Sequence, residues 1–177
     1  MMHDNPFSEA EIARRLAAFR TELNARKLDG AVVAAPENVF YLTGLDHWGY
    51  FAPHLLIVPL QGTPVLVTRA MERVSVDKQV RAAEFRGHSD SETAADMSAR
   101  VLRDLKLVGR RVGLEYWTSG LSHGLARSLQ AQAEADWHDI SNLVDELRLV
   151  KSAEEQALMR KAVAEAGGPI QIGRAHV

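Results

Sequence analysis

Asp46, His47, Trp48 and Tyr50 place a carboxylate, an imidazole, an indole donor and a phenol within five positions. Such a mixture suits a small polar ligand, since aromatic walls exclude water while a few polar groups orient what they hold. Arg69, at the end of an apolar run, adds a guanidinium able to grip a substrate carboxylate with two parallel bonds. Its plainer role is a surface ion pair, for instance with Glu72. These five residues form the candidate substrate-facing set. Gly120-Leu121-Ser122-His123-Gly124 matches a nucleophile-elbow pattern. That pattern needs its serine on a sharp turn directly between strand and helix, with an acid and a histidine later in the chain. Here Ser122 falls past the preceding strand and inside an expected helix, and later candidates such as Asp136 and His138 crowd one short segment. Asp136 and His138 share a strand face, yet no third ligand follows at a spacing that would hold a metal. No complete catalytic constellation is present, so no residue is assigned as catalytic or metal-binding.

Composition narrows the setting. The 177 residues, 46% of them apolar, suffice for one core of ordinary size. Twenty-one basic and 23 acidic residues are interspersed, with no basic block to follow a phosphate backbone, so nucleic acid is not an expected partner. Cysteine is absent, which excludes disulfides and thiolate chemistry and suits a reducing compartment. The opening ten residues carry Asp4 and Glu9 and no apolar core, unlike a secretory signal. The strongest apolar run, 55–60, is far short of the roughly 20 residues that span a bilayer. A cytoplasmic location is the expectation, with no membrane partner.

The elements that must position the candidate residues read as alternating helices and strands. Ser8-Glu9-Ala10-Glu11 has capping-box spacing, with Glu11 expected to reach back to the cap. Ile12, Leu16, Phe19 and Leu23 then draw one apolar stripe, with Arg14, Arg15, Arg20 and Glu22 on other faces. Asp29-Gly30 is the expected end of this helix. A buried strand over 31–35 closes at Pro36, and 36–51 reads as a long functional connection. Within it Asn38 is expected to make a local turn bond, Tyr41 and Leu42 to pack, and Gly44 to adopt a positive φ. Strands over 54–58 and 64–68 form a hairpin around Gly62, and His54 reads as a satisfied core or interface histidine. There follow a short helix within 71–80, a strand over 82–85, a helix capped by Asp90 or Ser91 and ended by Gly109, a strand over 111–115, a helix over 119–132 and a strand over 135–138. A helix then starts at Asp139 or Ser141, and a last one opens on the capping box Ser152-Ala153-Glu154-Glu155 and runs to Ala166. The fold class is α/β, a mixed β-sheet flanked by helices.

Four pieces in fixed order carry a resemblance. They are the first helix with Leu28-Asp29-Gly30 and its strand; Pro36, Asn38 and Tyr41-Leu42-Thr43-Gly44; Val112-Gly113-Leu114-Glu115; and Asp139-Ile140-Ser141-Asn142-Leu143-Val144 with Leu147-Arg148 and Lys151-Ser152-Ala153-Glu154-Glu155. Together they resemble the N-terminal domain of the creatinase, prolidase and aminopeptidase P family over about residues 10–166. The resemblance implies a substrate-capping and dimerisation domain preceding a larger pita-bread hydrolase domain. In that missing domain it implies a divalent metal pair (manganese, cobalt or zinc), or in the creatinase type a metal-free histidine site. A homodimer acting on a small peptide or amide is implied for the whole protein, with loops of this domain covering a pocket. The run 43–51 is similar in type to relatives of ectoine hydrolase, which leaves an amidinohydrolase or ectoine-type enzyme, or a peptidase-like binding module without activity, as alternatives.

The expected organisation is an N-terminal domain over 1–149, the start of a truncated catalytic domain over 150–171, and a non-native tail over 172–177. The tail Ile172-Gly173-Arg174-Ala175-His176-Val177 is what a common sequencing-adapter read encodes, so resequencing the locus tests it.

Overall fold

The computed structural model describes residues 4–46 and 52–166. His47, Trp48 and Tyr50, and the tail 172–177, lie outside the described residues.

Helix α1 (Glu9–Ala25) begins at Ser8, whose hydroxyl accepts the Glu11 N–H. The cap is as expected, but Glu11 does not reach back; its carboxylate turns instead to Arg14 and Arg15. The helix ends before Gly30: Lys27 makes the left-handed turn at φ 57°, and Gly30 is already the first residue of β1 (Gly30–Val33). Ala31 and Val33 enter one apolar cluster while Val32 and Ala34 enter another, so this strand is buried on both faces.

Pro36 does more than close the strand. It occupies the first turn of α2 (Pro36–Thr43), where its missing N–H costs nothing and its fixed φ favours a helical start. The expected connection of 16 residues is thereby shortened, and its first half is a helix. Gly44 ends α2 at φ 77°, and a Cβ there would fall 2.2 Å from the Asn5 side chain, so position and space both demand glycine.

The hairpin forms as read, from β2 (Leu55–Pro59) and β3 (Val65–Arg69). A 3-10 turn (Ala70–Glu72) leads into α3 (Arg73–Gln79) and β4 (Glu84–His88). Helix α4 (Ala94–Asp104) is capped by Thr93, in a reciprocal box with Asp96, rather than by Asp90 or Ser91. It closes through Lys106 at φ 57°, ahead of Gly109. After β5 (Arg111–Leu114) comes α5 (His123–Gln132), then β6 (Asp136–Asp139), α6 (Leu143–Leu149) and α7 (Ala153–Ala166).

The six strands make one mixed sheet in the order β4-β3-β2-β1-β5-β6. β2 alone runs against its neighbours; β3 with β4, and β1 with β5 and β6, are parallel. One face packs on α1, α2, α3 and α6 through Phe19, Leu23, Leu42 and Val144, and the other on α4 and α5 through Leu102, Leu114 and Leu129. The edge strands carry Glu84, Arg86 and Asp136, charges that discourage further pairing.

Candidate functional site

The carboxyl ends of β1 and β5 are the natural place to look for a ligand. Open α/β sheets bind outside the strand ends where neighbouring connections leave to opposite faces, and here β1 leads to α2 on one face while β5 leads to α5 on the other. The crevice is filled by the protein itself. Ala35, which caps α2, has no side-chain acceptor, and Glu115, the residue after β5, supplies one. Its Oε2 accepts from the Ala34 N–H at 2.8 Å and the Ala35 N–H at 2.7 Å, and its Oε1 accepts from Asn38 Nδ2 at 2.5 Å. Asn38 Oδ1 in turn accepts from Arg148 Nη1 at 2.8 Å, which also donates to Asp145. Asn38 therefore makes long-range bonds, not the local turn bond its sequence setting suggested. Burial pushes the Glu115 carboxyl above its ordinary range, against the pull of the Ala35, Ala34 and Asn38 donors. Gly120 crosses so close to this point that a Cβ would lie 1.9 Å from the Ala34 carbonyl oxygen.

A second buried node is centred on Arg15. Its side chain is fully buried, not on a solvated face, and its guanidinium lies 3.8 Å from the Phe7 ring centroid and 4.4 Å from that of Tyr41. It donates to Glu11 at 2.8 Å and to the Tyr41 carbonyl at 2.9 Å, and Glu155 lies 3.3 Å from its Nη2. The Arg14 guanidinium, bonded to both Glu11 oxygens, together with Arg15 and Ser152 draws the Glu11 carboxyl down to about 2 from 4.5, against the opposing effect of burial. The sign of the pH effect follows. A carboxylate depressed in the folded state contributes stability that is fully present above about pH 4.5 and is lost as pH falls towards 2. Urea unfolding of the wild type and Glu11→Gln should show a wild-type advantage on the order of 2–3 kcal/mol at pH 7. The advantage should shrink steadily below pH 4.5; a gap of constant size down to pH 2.5 would contradict the assignment.

Around this node α1, α2, α6 and α7 enclose a groove of about 820 Å³, walled by Phe7, Phe40, Tyr41, Leu149, Leu158 and Met159. Neither Asp46 nor Arg69 lines it. Asp46 is exposed, and its N–H is held by Gln79 Oε1 at 2.9 Å. Arg69 is bound by Asp90 at 2.6 Å, the ion pair of its plainer role with a different acid from the one anticipated. The two are thus fixed by different elements. His54 is buried, with Nδ1 2.9 Å from the Ala52 carbonyl oxygen, as a core histidine should be.

Asp136 and His138 do meet, at 2.9 Å, but Arg111 Nε stands 3.2 Å from the same imidazole nitrogen, a cation where a metal would have to sit. Among the described residues no group of three His, Cys, Asp or Glu side chains is placed to hold a metal ion. Ser122 is the N-cap of α5, accepting from the Leu125 N–H, rather than a residue within the helix; as a cap it is engaged with backbone. No helix among the described residues is long and apolar enough to cross a membrane.

This arrangement of sheet and helices is shared with solved peptidase structures. A prolidase from Thermococcus sibiricus superposes with a TM-score of 0.72 at 22% identity, over 90% of this chain and 42% of its own. The N-terminal domain of an X-Pro dipeptidase from Streptococcus pyogenes matches with a TM-score of 0.65 at 20% identity, over 75% of this chain and 98% of its own. In sequence the chain is 28% identical over 169 residues to the hydrolase/peptidase y4tM of Sinorhizobium fredii, and 28% identical over 170 residues to the ectoine hydrolase of Halomonas elongata. These alignments cover 88% and 89% of this chain, which spans 42% of the length of either relative.

The fold is that of the domain that precedes the larger part of such hydrolases. Residues 15–150 match the family model for the creatinase/prolidase N-terminal domain, and the chain belongs to that family.

Proposed function

We propose that this chain is the non-catalytic N-terminal domain of a longer hydrolase of the Xaa-Pro peptidase type, and that it caps the substrate and supports a homodimer while the reaction proceeds on the downstream domain. The observation that carries the reading is coverage: the relatives align with nearly all of this chain but with only 42% of themselves. The polar nodes at Glu115 and Arg15 are internal, and the substrate-facing element of this reading is Asp46, His47, Trp48 and Tyr50 with Arg69, supported by the mixture of polar and aromatic groups in that run. In the whole protein a divalent pair of manganese, cobalt or zinc would supply an activated water for attack on the peptide carbonyl. A cytoplasmic location accords with the absence of cysteine.

The chain alone should show no turnover of Xaa-Pro dipeptides in the presence of manganese or cobalt. Hydrolysis above the buffer rate, proportional to protein and retained through a second purification, would overturn this reading. The likeness to ectoine hydrolase at 28% identity favours a second reading, a fragment of an amidinohydrolase or ectoine-hydrolase-type enzyme. A peptidase-like binding module is the non-enzymatic alternative. Sequencing the gene downstream discriminates: metal-ligand carboxylates with a histidine favour an enzyme, a histidine without the carboxylates favours the creatinase type, and their loss favours the binding module.

A further inference from the structure

Ser8 lies at the start of α1 and Glu154 in the first turn of α7, 146 residues further along the chain, yet the two share a pair of hydrogen bonds. The Ser8 N–H donates to Glu154 Oε1 at 2.6 Å, and the Ser8 hydroxyl donates to Oε2 at 2.7 Å. The same hydroxyl oxygen accepts the Glu11 N–H, so Glu154 completes the cap of a helix to which it does not belong. The next residue works both ways too. Glu155 Oε2 accepts from the Ser152 N–H at 2.8 Å, closing the cap of α7, while its Oε1 faces the buried Arg15 of α1 at 3.3 Å. Two carboxylates thus sit between two helix N-termini, where partial positive charge favours them, and the short bonds from Ser8 are of the charge-assisted kind.

Beyond that turn little holds α7. Met159 is 55% exposed and Val163 70%, and a helix of 14 residues is marginal without packing. We propose that Glu154 and Ser8 form a latch that fastens α7 to α1, so that α7 is a rigid arm of this domain and any polypeptide continuing from it leaves at an angle that the domain sets. In that position α7 supplies one wall of the groove beside Phe7 and Tyr41, through Leu158 and Met159. The latch does not depend on which reaction the longer protein performs.

Hydrogen exchange on the 177-residue chain tests it. Glu154→Ala leaves the Ser152–Glu155 cap of α7 intact but also takes an acidic side chain from its first turn, so the link to Ser8 is read from the acceleration that Ser8→Ala, a change outside α7, reproduces. Exchange at amides 156–165 should rise about tenfold or more, while amides of β1, β2 and β5 stay within about twofold of wild type. Ser8→Ala, which keeps the backbone bond but loses the hydroxyl, should accelerate the same α7 amides by a smaller factor. Wild-type exchange in α7 in the Glu154→Ala chain would overturn the latch. So would equal acceleration in the sheet, because α7 would then be reporting global unfolding.

Discussion

Replacing Arg15 with alanine should destabilise the domain by about 3–5 kcal/mol, the cost of leaving buried charges without their partner. The guanidinium joins three helices and the segment before α1: it lies against the Phe7 and Tyr41 rings, bonds the α2 carbonyl of Tyr41, and links Glu11 of α1 to Glu155 of α7. Its removal opens a cavity beside two aromatic rings and leaves Glu11 with Arg14 alone. Arg15→Lys keeps the charge but lacks the planar fork, so it should recover only part of the loss. Denaturant unfolding with unchanged slope measures both. A loss below 1 kcal/mol for the alanine variant would mean that Arg14 and solvent replace these contacts.

Glu115→Ala should cost about 3 kcal/mol or more, since it strands the N–H groups of Ala34 and Ala35 and the Asn38 amide in the interior. Glu115→Gln tests the network more finely. Its amide oxygen can still accept from the two backbone groups, but its NH₂ then faces the Asn38 NH₂, and Asn38 cannot flip without turning a donor on Arg148. A loss of about 1–2 kcal/mol is expected for glutamine, milder because a neutral side chain no longer carries the burial penalty of the carboxylate. Thermal or chemical unfolding of the two variants should rank alanine well below glutamine. Equal losses would point to shape rather than hydrogen bonding as the contribution of Glu115.

Periodicity made most of the elements legible, because their apolar faces are local. Ile12, Leu16, Phe19 and Leu23 declared α1, and alternating burial on both sides of β1 follows from an unbroken apolar run. The polar nodes were hidden for a physical reason. Glu11 and Arg15 at a four-residue spacing look like any solvated helical pair, and only Phe7 and Tyr41, brought in by the fold, bury them. Glu115 and Arg148 lie 77 and 110 positions from Asn38 along the chain, beyond the reach of any local pattern. One trace was visible: a glutamate directly after the buried run Val112-Gly113-Leu114 needs a partner wherever it goes. Helix α2 was concealed by its proline, which marks a strand end and a helix start equally well. The candidate set at 46–50 was legible as a cluster of functional groups, and the described structure accounts for Asp46 as a residue anchored through its backbone to Gln79.

The bond between Ser8 and Glu154 has a mechanical meaning as well. It closes residues 8–154 into a noncovalent ring, with the start of the first helix and the start of the last at one clasp. A pull along α7 is shared between the backbone that joins it to α6 and this clasp, which passes part of it to α1 through Ser8, Glu155 and Arg15. The clasp thus couples the start of α7 to α1 through side chains, in addition to the covalent chain that runs through α6 and β6 to the sheet.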